Sequence, residues 1–147
     1  MSYSLDANLL LYASDEASPR FDSARGFLDE RRWDPDVLCL AWPTLMAYLR
    51  IATHAGIFGA PLTPQAALAN IEALLALPRT IVVTERDGFL SAYRSVTGGV
   101  PVRGNLVPDA HLATILQQNG VRRLYTCDRD FLRFTFLEVR DPLGSPL

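Results

Sequence analysis

Short apolar runs alternate with stretches of helical periodicity along this chain, and that alternation restricts the fold more than any other feature. "YSL" (3–5), "VLCL" (37–40), "TIVV" (80–83), "RLYT" (123–126) and "LEVR" (137–140) read as strands. After the first strand, Ser18 is placed as an N-cap with Pro19 at the first helical position, and Phe21, Ala24, Phe27 and Leu28 repeat at helical spacing. "DPD" (34–36) is a turn before the second strand. Pro43 opens a helix through Arg50 that fades near "THAG", and Thr63-Pro64 starts another with Ala67, Leu68, Ile71, Leu74 and Leu75 on one face. Thr84 with Asp87 resembles a capping box for a helix over 85–96. Residues 97–105 form a loop, and Pro108 begins a helix closed by Gly120. Strands alternating with helices predict a mainly parallel central sheet covered on both faces, a three-layer α/β/α sandwich. A length of 147 residues suits one domain, 1–147, with its own core.

Sheets of this kind bind ligands beyond the carboxyl ends of their strands, which is where Asp6 and Asp128 fall. Asp6 follows one apolar strand and precedes "ANLLLY"; it reads either as a helix N-cap or as a functional acid. Asp128 and Asp130 interrupt "LYTCDRDFLRF", where apolar residues resume at once with Phe131, Leu132 and Phe134. Asx-turn geometry accounts for such acids as readily as chemistry does. In "PDAHLATILQQNG" a helical wheel puts Asp109 on the stripe of Leu112, Ala113 and Leu116, with His111, Thr114 and Gln118 on the wet face. An acid near a helix N-terminus gains from the dipole and the free N–H groups. That explains its presence in the first turn but not its orientation toward the sheet.

What favours a functional reading is convergence: distant segments deliver acids to the same edge of one sheet. Clustered carboxylates repel one another, and oxygen ligands with no nearby histidine or cysteine select Mg²⁺ or Mn²⁺. Such ions hold phosphate oxygens, offset developing charge and activate water, so hydrolysis of a phosphodiester is the natural chemistry.

Other classes lack a required part. The chain contains no lysine, only arginine as a basic residue, which removes the P-loop and the lysine that phosphoaspartate enzymes generally use to bind the phosphoryl group. The only histidines, His54 and His111, follow no G-x-S-x-G elbow, and His111 reads as a solvated surface residue. Net charge is −2, so no bulk positive field advertises nucleic acid. The acids are concentrated toward the start: residues 1–36 hold eight acids and four arginines, residues 37–147 eight acids and ten arginines. No apolar run reaches membrane-span length and the N-terminus lacks a basic n-region, so a cytoplasmic protein is expected. Cys39 and Cys127, both in expected strands, read as free buried thiols.

Taken together, "SLDANLLLYA", "GNLVPDAHLATI", "TCDRDFLRF" and "LEVRDPL" resemble the PIN-domain ribonucleases of the VapC toxin type, over a span from Ser4 to Leu143. The resemblance implies a PIN-like α/β/α fold and a Mg²⁺- or Mn²⁺-dependent endoribonuclease that cuts structured RNA. It also implies inhibition by a VapB-like antitoxin and a homodimer. It carries metal-ligand and catalytic roles onto Asp6, Asp109 and Asp128, with Asp130 as a fourth acid at the metal. Many PIN domains have a glutamate in the helix after the second strand. Here Ala47 or Tyr48 occupies that position, and no acid occurs between Asp36 and Glu72. The gap leaves open the number of metals bound and keeps an alternative in view, a PIN fold that has lost catalysis and serves as a protein-binding module. Trp42, Tyr48 and Arg50 read as core and rim of that helix rather than as RNA contacts.

Overall fold

In the computed structural model, which describes residues 1–144, five parallel strands form one sheet in the order β3-β2-β1-β4-β5. They are β1 (Ser2–Leu5), β2 (Val37–Ala41), β3 (Thr80–Val83), β4 (Arg123–Tyr125) and β5 (Glu138–Arg140). The chain starts in the centre and runs outward to one edge, then crosses β1 to build the other. The direction of addition therefore reverses between β1 and β4, the kind of switch point at whose carboxyl ends open α/β sheets bind ligands.

Side chains alternate across the sheet, as strand geometry requires. Tyr3, Leu5, Leu38 and Leu40 point to one face. There they pack with α1 (Ala7–Tyr12), α3 (Trp42–Ala52) and α4 (Pro64–Leu75), and α2 (Phe21–Glu30) adds Phe27 and Leu28 at the margin. Cys39, Ala41, Val83 and Leu124 point to the other face. That core is completed by α6 (Val107–Gln118), the flank of α5 (Phe89–Thr97), and Phe131 and Phe134. Two cores separated by one sheet make the three layers expected.

Local signals account for most boundaries. Thr63 Oγ1 accepts the Ala66 N–H at 3.1 Å, with Pro64 in the first turn of α4. Gly120, at φ 69°, ends the α6 segment in a left-handed conformation that suits glycine. Two helix starts differ from expectation. Ser18 does not cap α2 directly; its Oγ accepts the Arg20 N–H at 3.1 Å in a turn, and the helix begins at Phe21. Thr84 and Asp87 form no capping box. Gly88, at φ 76°, redirects the chain, and α5 starts at Phe89. The 84–87 segment is instead tied to α6, where Gln118 Oε1 accepts the Arg86 N–H at 2.9 Å and Asn119 Nδ2 donates to the Thr84 carbonyl.

The wet face assigned to α6 also needs correction. Thr114 is fully buried, its hydroxyl donating back to the Ala110 carbonyl at 2.7 Å. That bond lets a polar residue enter an apolar layer, because helical threonine satisfies itself on the preceding turn. Cys127 lies just past β4, half-buried, with its thiol on the Asp141 carboxylate at 3.4 Å; both cysteines are free. No helix among the described residues is long and apolar enough to cross a membrane.

Candidate metal centre

Each candidate acid is placed by the end of a regular element. Asp6 directly follows β1 and caps α1: its Oδ1 accepts the Ala7 N–H at 2.8 Å, and its own N–H bonds the Tyr125 carbonyl at 3.0 Å, extending the β1–β4 ladder by one step. Asp109 stands in the first turn of α6, two residues after Val107 and one after Pro108. Beyond β4 the chain bends into a 3-10 turn, Arg129–Arg133, capped by Asp128, whose Oδ1 accepts the Asp130 N–H at 2.8 Å. The bend answers the geometric difficulty of two acids at alternate positions, since an extended chain would point them to opposite sides. Phe131 is fully buried at the centre of the turn, and Phe134 follows at 1% exposure. Their rings lie 6.2 Å apart and root the turn in the α6 layer.

The result is one cluster. Asp109, Asp128 and Asp130 each offer a carboxylate oxygen, and the three atoms lie within 4.8 Å of one another. Asp6 stands beside this triple rather than inside it, near enough for its charge to act on Asp109. Burial first, then the charges of Asp128, Asp6 and Asp130, push the Asp109 carboxyl up to about 7. Burial likewise raises Asp6, opposed by hydrogen bonds from Thr126 and Ala7 and aided by the Asp128 charge. Asp130 has a basic partner, Arg133 at 3.5 Å, with both side chains about half exposed. Among the described residues the Asp109 carboxylate has no hydrogen bond or ion pair. The donor set is all carboxylate oxygen, which fits a hard divalent cation and offers nothing to a soft one.

Other candidates fall elsewhere. Tyr48 is buried, and its hydroxyl is held by Ser14 at 2.7 Å and Asn70 at 2.9 Å in the α1–α3–α4 layer. Neither it nor Ala47 supplies a carboxylate, so α3 adds no acid. Trp42 is 44% exposed and Arg50 is exposed, at the rim of the same helix. His111 is partly exposed and pairs with Glu85 at 2.5 Å instead of joining the acids. Two residues of the motifs to which the sequence assigned no role stand close to the cluster, Thr126 and Asn8. Thr126 Oγ1 donates to Asp6 Oδ2 at 2.9 Å and receives the Asp128 N–H at 2.9 Å and Asn8 Nδ2 at 3.2 Å. Asn8 lies in "SLDANLLLYA", two residues after Asp6, and Thr126 in "TCDRDFLRF", two before Asp128, but a neutral polar residue beside an acid shows no role until its partners are seen.

No protein-family model matches the chain. Individual relatives do. Ribonuclease VapC48 of Mycobacterium tuberculosis is 39% identical over 145 residues, covering 99% of this chain and 100% of the relative. The chain belongs to the VapC ribonuclease family. Ribonuclease VapC43 of the same organism is 32% identical over 141 residues, covering 96% of this chain and 95% of the relative. Among solved structures, the M. tuberculosis toxin VapC20, described as cleaving the sarcin-ricin loop, superposes with a TM-score of 0.67. That match has 17% identity and covers 95% of this chain and 99% of VapC20. A chain of VapBC2 from Rickettsia felis, in a structure bound to a fragment of its promoter DNA, gives a TM-score of 0.68 at 15% identity, covering 95% and 98%. These distant likenesses establish the fold. The VapC relationship itself rests on the full-length identity to VapC48 and VapC43.

Proposed function

We propose that this VapC-family ribonuclease acts as a single PIN-like domain whose endonucleolytic activity depends on Mg²⁺ or Mn²⁺ bound at the carboxyl edge of the sheet. The observation that carries the reading is the approach of Asp109, Asp128 and Asp130 to within 4.8 Å, with Asp109 left unpartnered among the described residues. Asp109 and Asp128 would be the principal ligands, Asp6 would flank them from β1, and Asp130 would serve as a supporting acid. A divalent ion bound there would supply charge for the scissile phosphate and lower the pKa of an attacking water. The chain's own part is to hold the carboxylates at fixed spacing at the carboxyl edge of the sheet, and a bound cation would favour the ionised form that burial and mutual repulsion oppose in Asp109. The intact cluster argues against a purely non-catalytic binding module, although α3 contributes no acid.

The substrate would be a structured RNA, by analogy with the loop that VapC20 is described as cleaving, and the inhibitor a small VapB-like antitoxin in a cytoplasmic complex. A homodimer is the expected toxin assembly. The direct test incubates the purified protein with total RNA in Mg²⁺, in Mn²⁺ and in EDTA, and maps the new RNA ends. Cleavage at discrete positions in either metal, abolished by EDTA and restored by added Mn²⁺, is the expected result. Undiminished cleavage in chelator would overturn the metal reading.

A further inference from the structure

Thr126 is fully buried immediately after β4, and its hydroxyl meets three partners, Asp6 and Asn8 at the β1–α1 junction and Asp128 in its own turn. The direction of each bond follows from donor and acceptor chemistry. The Asp128 N–H can only donate, and it reaches Thr126 Oγ1 at 2.9 Å. In the ionised form that metal ligation requires, the Asp6 carboxylate can only accept, so at 2.9 Å from Asp6 Oδ2 the hydroxyl proton goes to Asp6. One lone pair then remains on the hydroxyl, and it is filled by Asn8 Nδ2 at 3.2 Å. The amide orientation of Asn8 is therefore fixed by its neighbours, since its oxygen would face a hydroxyl with no second proton to give. The same orientation leaves Asn8 Oδ1 buried without a partner among the described residues.

We propose that Asn8 and Thr126 form a directed relay that positions Asp6 and the Asp128 backbone together at the acidic cluster. The inference rests on the proposed metal site and adds two positioning residues to it. With both lone pairs occupied, the hydroxyl cannot turn its proton away from Asp6. The Ala7 N–H holds Asp6 Oδ1 at 2.8 Å, so each oxygen of that carboxylate has a protein donor and its plane is set. On the other side, the hydroxyl anchors the Asp128 N–H, and Asp128 in turn caps the Asp130 N–H at 2.8 Å. One buried hydroxyl thus links three of the four acids. Threonine suits the position because β-branching leaves few rotamers for the hydroxyl to explore.

The test compares wild type with Thr126→Ser, Thr126→Val and Asn8→Ala by Mn²⁺ titration calorimetry and by backbone amide hydrogen exchange of the metal-free protein. Serine keeps the hydroxyl and should keep both Mn²⁺ affinity and protection of the Asp128 amide. Valine keeps the shape without the hydroxyl; it should expose the Asp128 amide and weaken Mn²⁺ binding by about tenfold or more, the usual scale for losing a partner that orients a ligand. Asn8→Ala, at a partly exposed site, should leave the Asp128 amide protected but weaken Mn²⁺ several-fold, because the freed lone pair lets the hydroxyl rotate. Wild-type Mn²⁺ affinity in both Thr126→Val and Asn8→Ala would overturn the relay, as would equal losses in Thr126→Ser and Thr126→Val. If wild type bound no Mn²⁺, the metal reading would fall, and the exchange pattern of the same variants would still decide whether the relay exists.

Discussion

Asp109 and Asp128 present carboxylate oxygens within 4.8 Å of each other, although one stands in the first turn of α6 and the other caps the turn after β4. Neither carboxylate has an ion pair among the described residues to offset the approach. The Asp128 charge is the largest electrostatic influence on Asp109, after burial, in raising its carboxyl to about 7. Proximity of this kind destabilises the metal-free fold and favours cation binding.

Replacing Asp109 by asparagine therefore has opposite effects on activity and stability. The amide keeps the size of the side chain and removes one of the repelling charges. RNA cleavage should be lost, while the metal-free protein at pH 8 should melt at the same temperature as wild type or higher. If Asp109 served only the helix dipole, the same change would leave cleavage intact and lower stability by about 0.5 kcal/mol. Parallel RNA cleavage assays and thermal melts separate the two outcomes.

The raised carboxyl also sets a pH dependence. An aspartate ionises near 3.9 in an unfolded chain, whereas Asp109 in the fold holds its proton up to about 7. Between those values the folded state binds more protons than the unfolded state, so its stability contribution is full below about pH 4 and declines as pH rises through about 7. Metal-free wild type should lose stability relative to Asp109→Asn across that window, and the difference should flatten above it. Saturating Mn²⁺ should reverse the trend, since ligation requires the ionised form. Denaturant melts of both proteins from pH 5 to 8, with and without Mn²⁺, check the slope.

Alternation of apolar runs and helical periods was enough to read the parallel sheet, because buried strands and amphipathic helices leave different spacings. The acids at the strand ends were legible for a related reason, since a carboxylate in an apolar run stands out. The start of α5 was not legible. Thr84 and Asp87 have capping spacing, but the segment around them bonds sideways to Gln118 and Asn119, and Gly88 sets the true start. Thr114 misled for a similar reason, because its bond to the Ala110 carbonyl satisfies the hydroxyl without water. Thr126 and Asn8 stand inside the motifs that carry the resemblance, but their roles were not legible because their partners lie 120 and 118 positions away in sequence.

Phe131 ties the acidic turn to the core, and its loss should separate fold from site. The ring is fully buried between the turn and the α6 layer. Phe131→Leu retains apolar volume, whereas Phe131→Ala leaves a cavity and should cost about 3–5 kcal/mol. The informative variant is leucine. It should remain folded yet bind Mn²⁺ more weakly, because the turn carrying Asp128 and Asp130 loses its rigid support. Wild-type affinity in a folded Phe131→Leu protein would show that the Asx cap and Thr126 hold the turn without the ring.

Asp128 and Asp130 share a turn but not a role, and their substitutions should separate them. Asp128 combines two functions, since its Oδ1 caps the Asp130 N–H at 2.8 Å and its carboxylate joins the cluster. Asp128→Asn preserves the capping acceptor while removing the charge, so it should fold normally and lose cleavage completely. Asp128→Ala should lose cleavage and also destabilise the turn by about 1 kcal/mol, the usual scale for a lost cap. Asp130 is about half exposed and already paired with Arg133 at 3.5 Å, which reduces its claim on a cation. Asp130→Ala should therefore keep a measurable remainder of cleavage that recovers with excess Mn²⁺. The comparison requires activity across a Mn²⁺ series for all three variants, with thermal melts as the control for folding. Equal losses at Asp128 and Asp130, neither rescued by Mn²⁺, would make the two acids a joint ligand pair of equal rank.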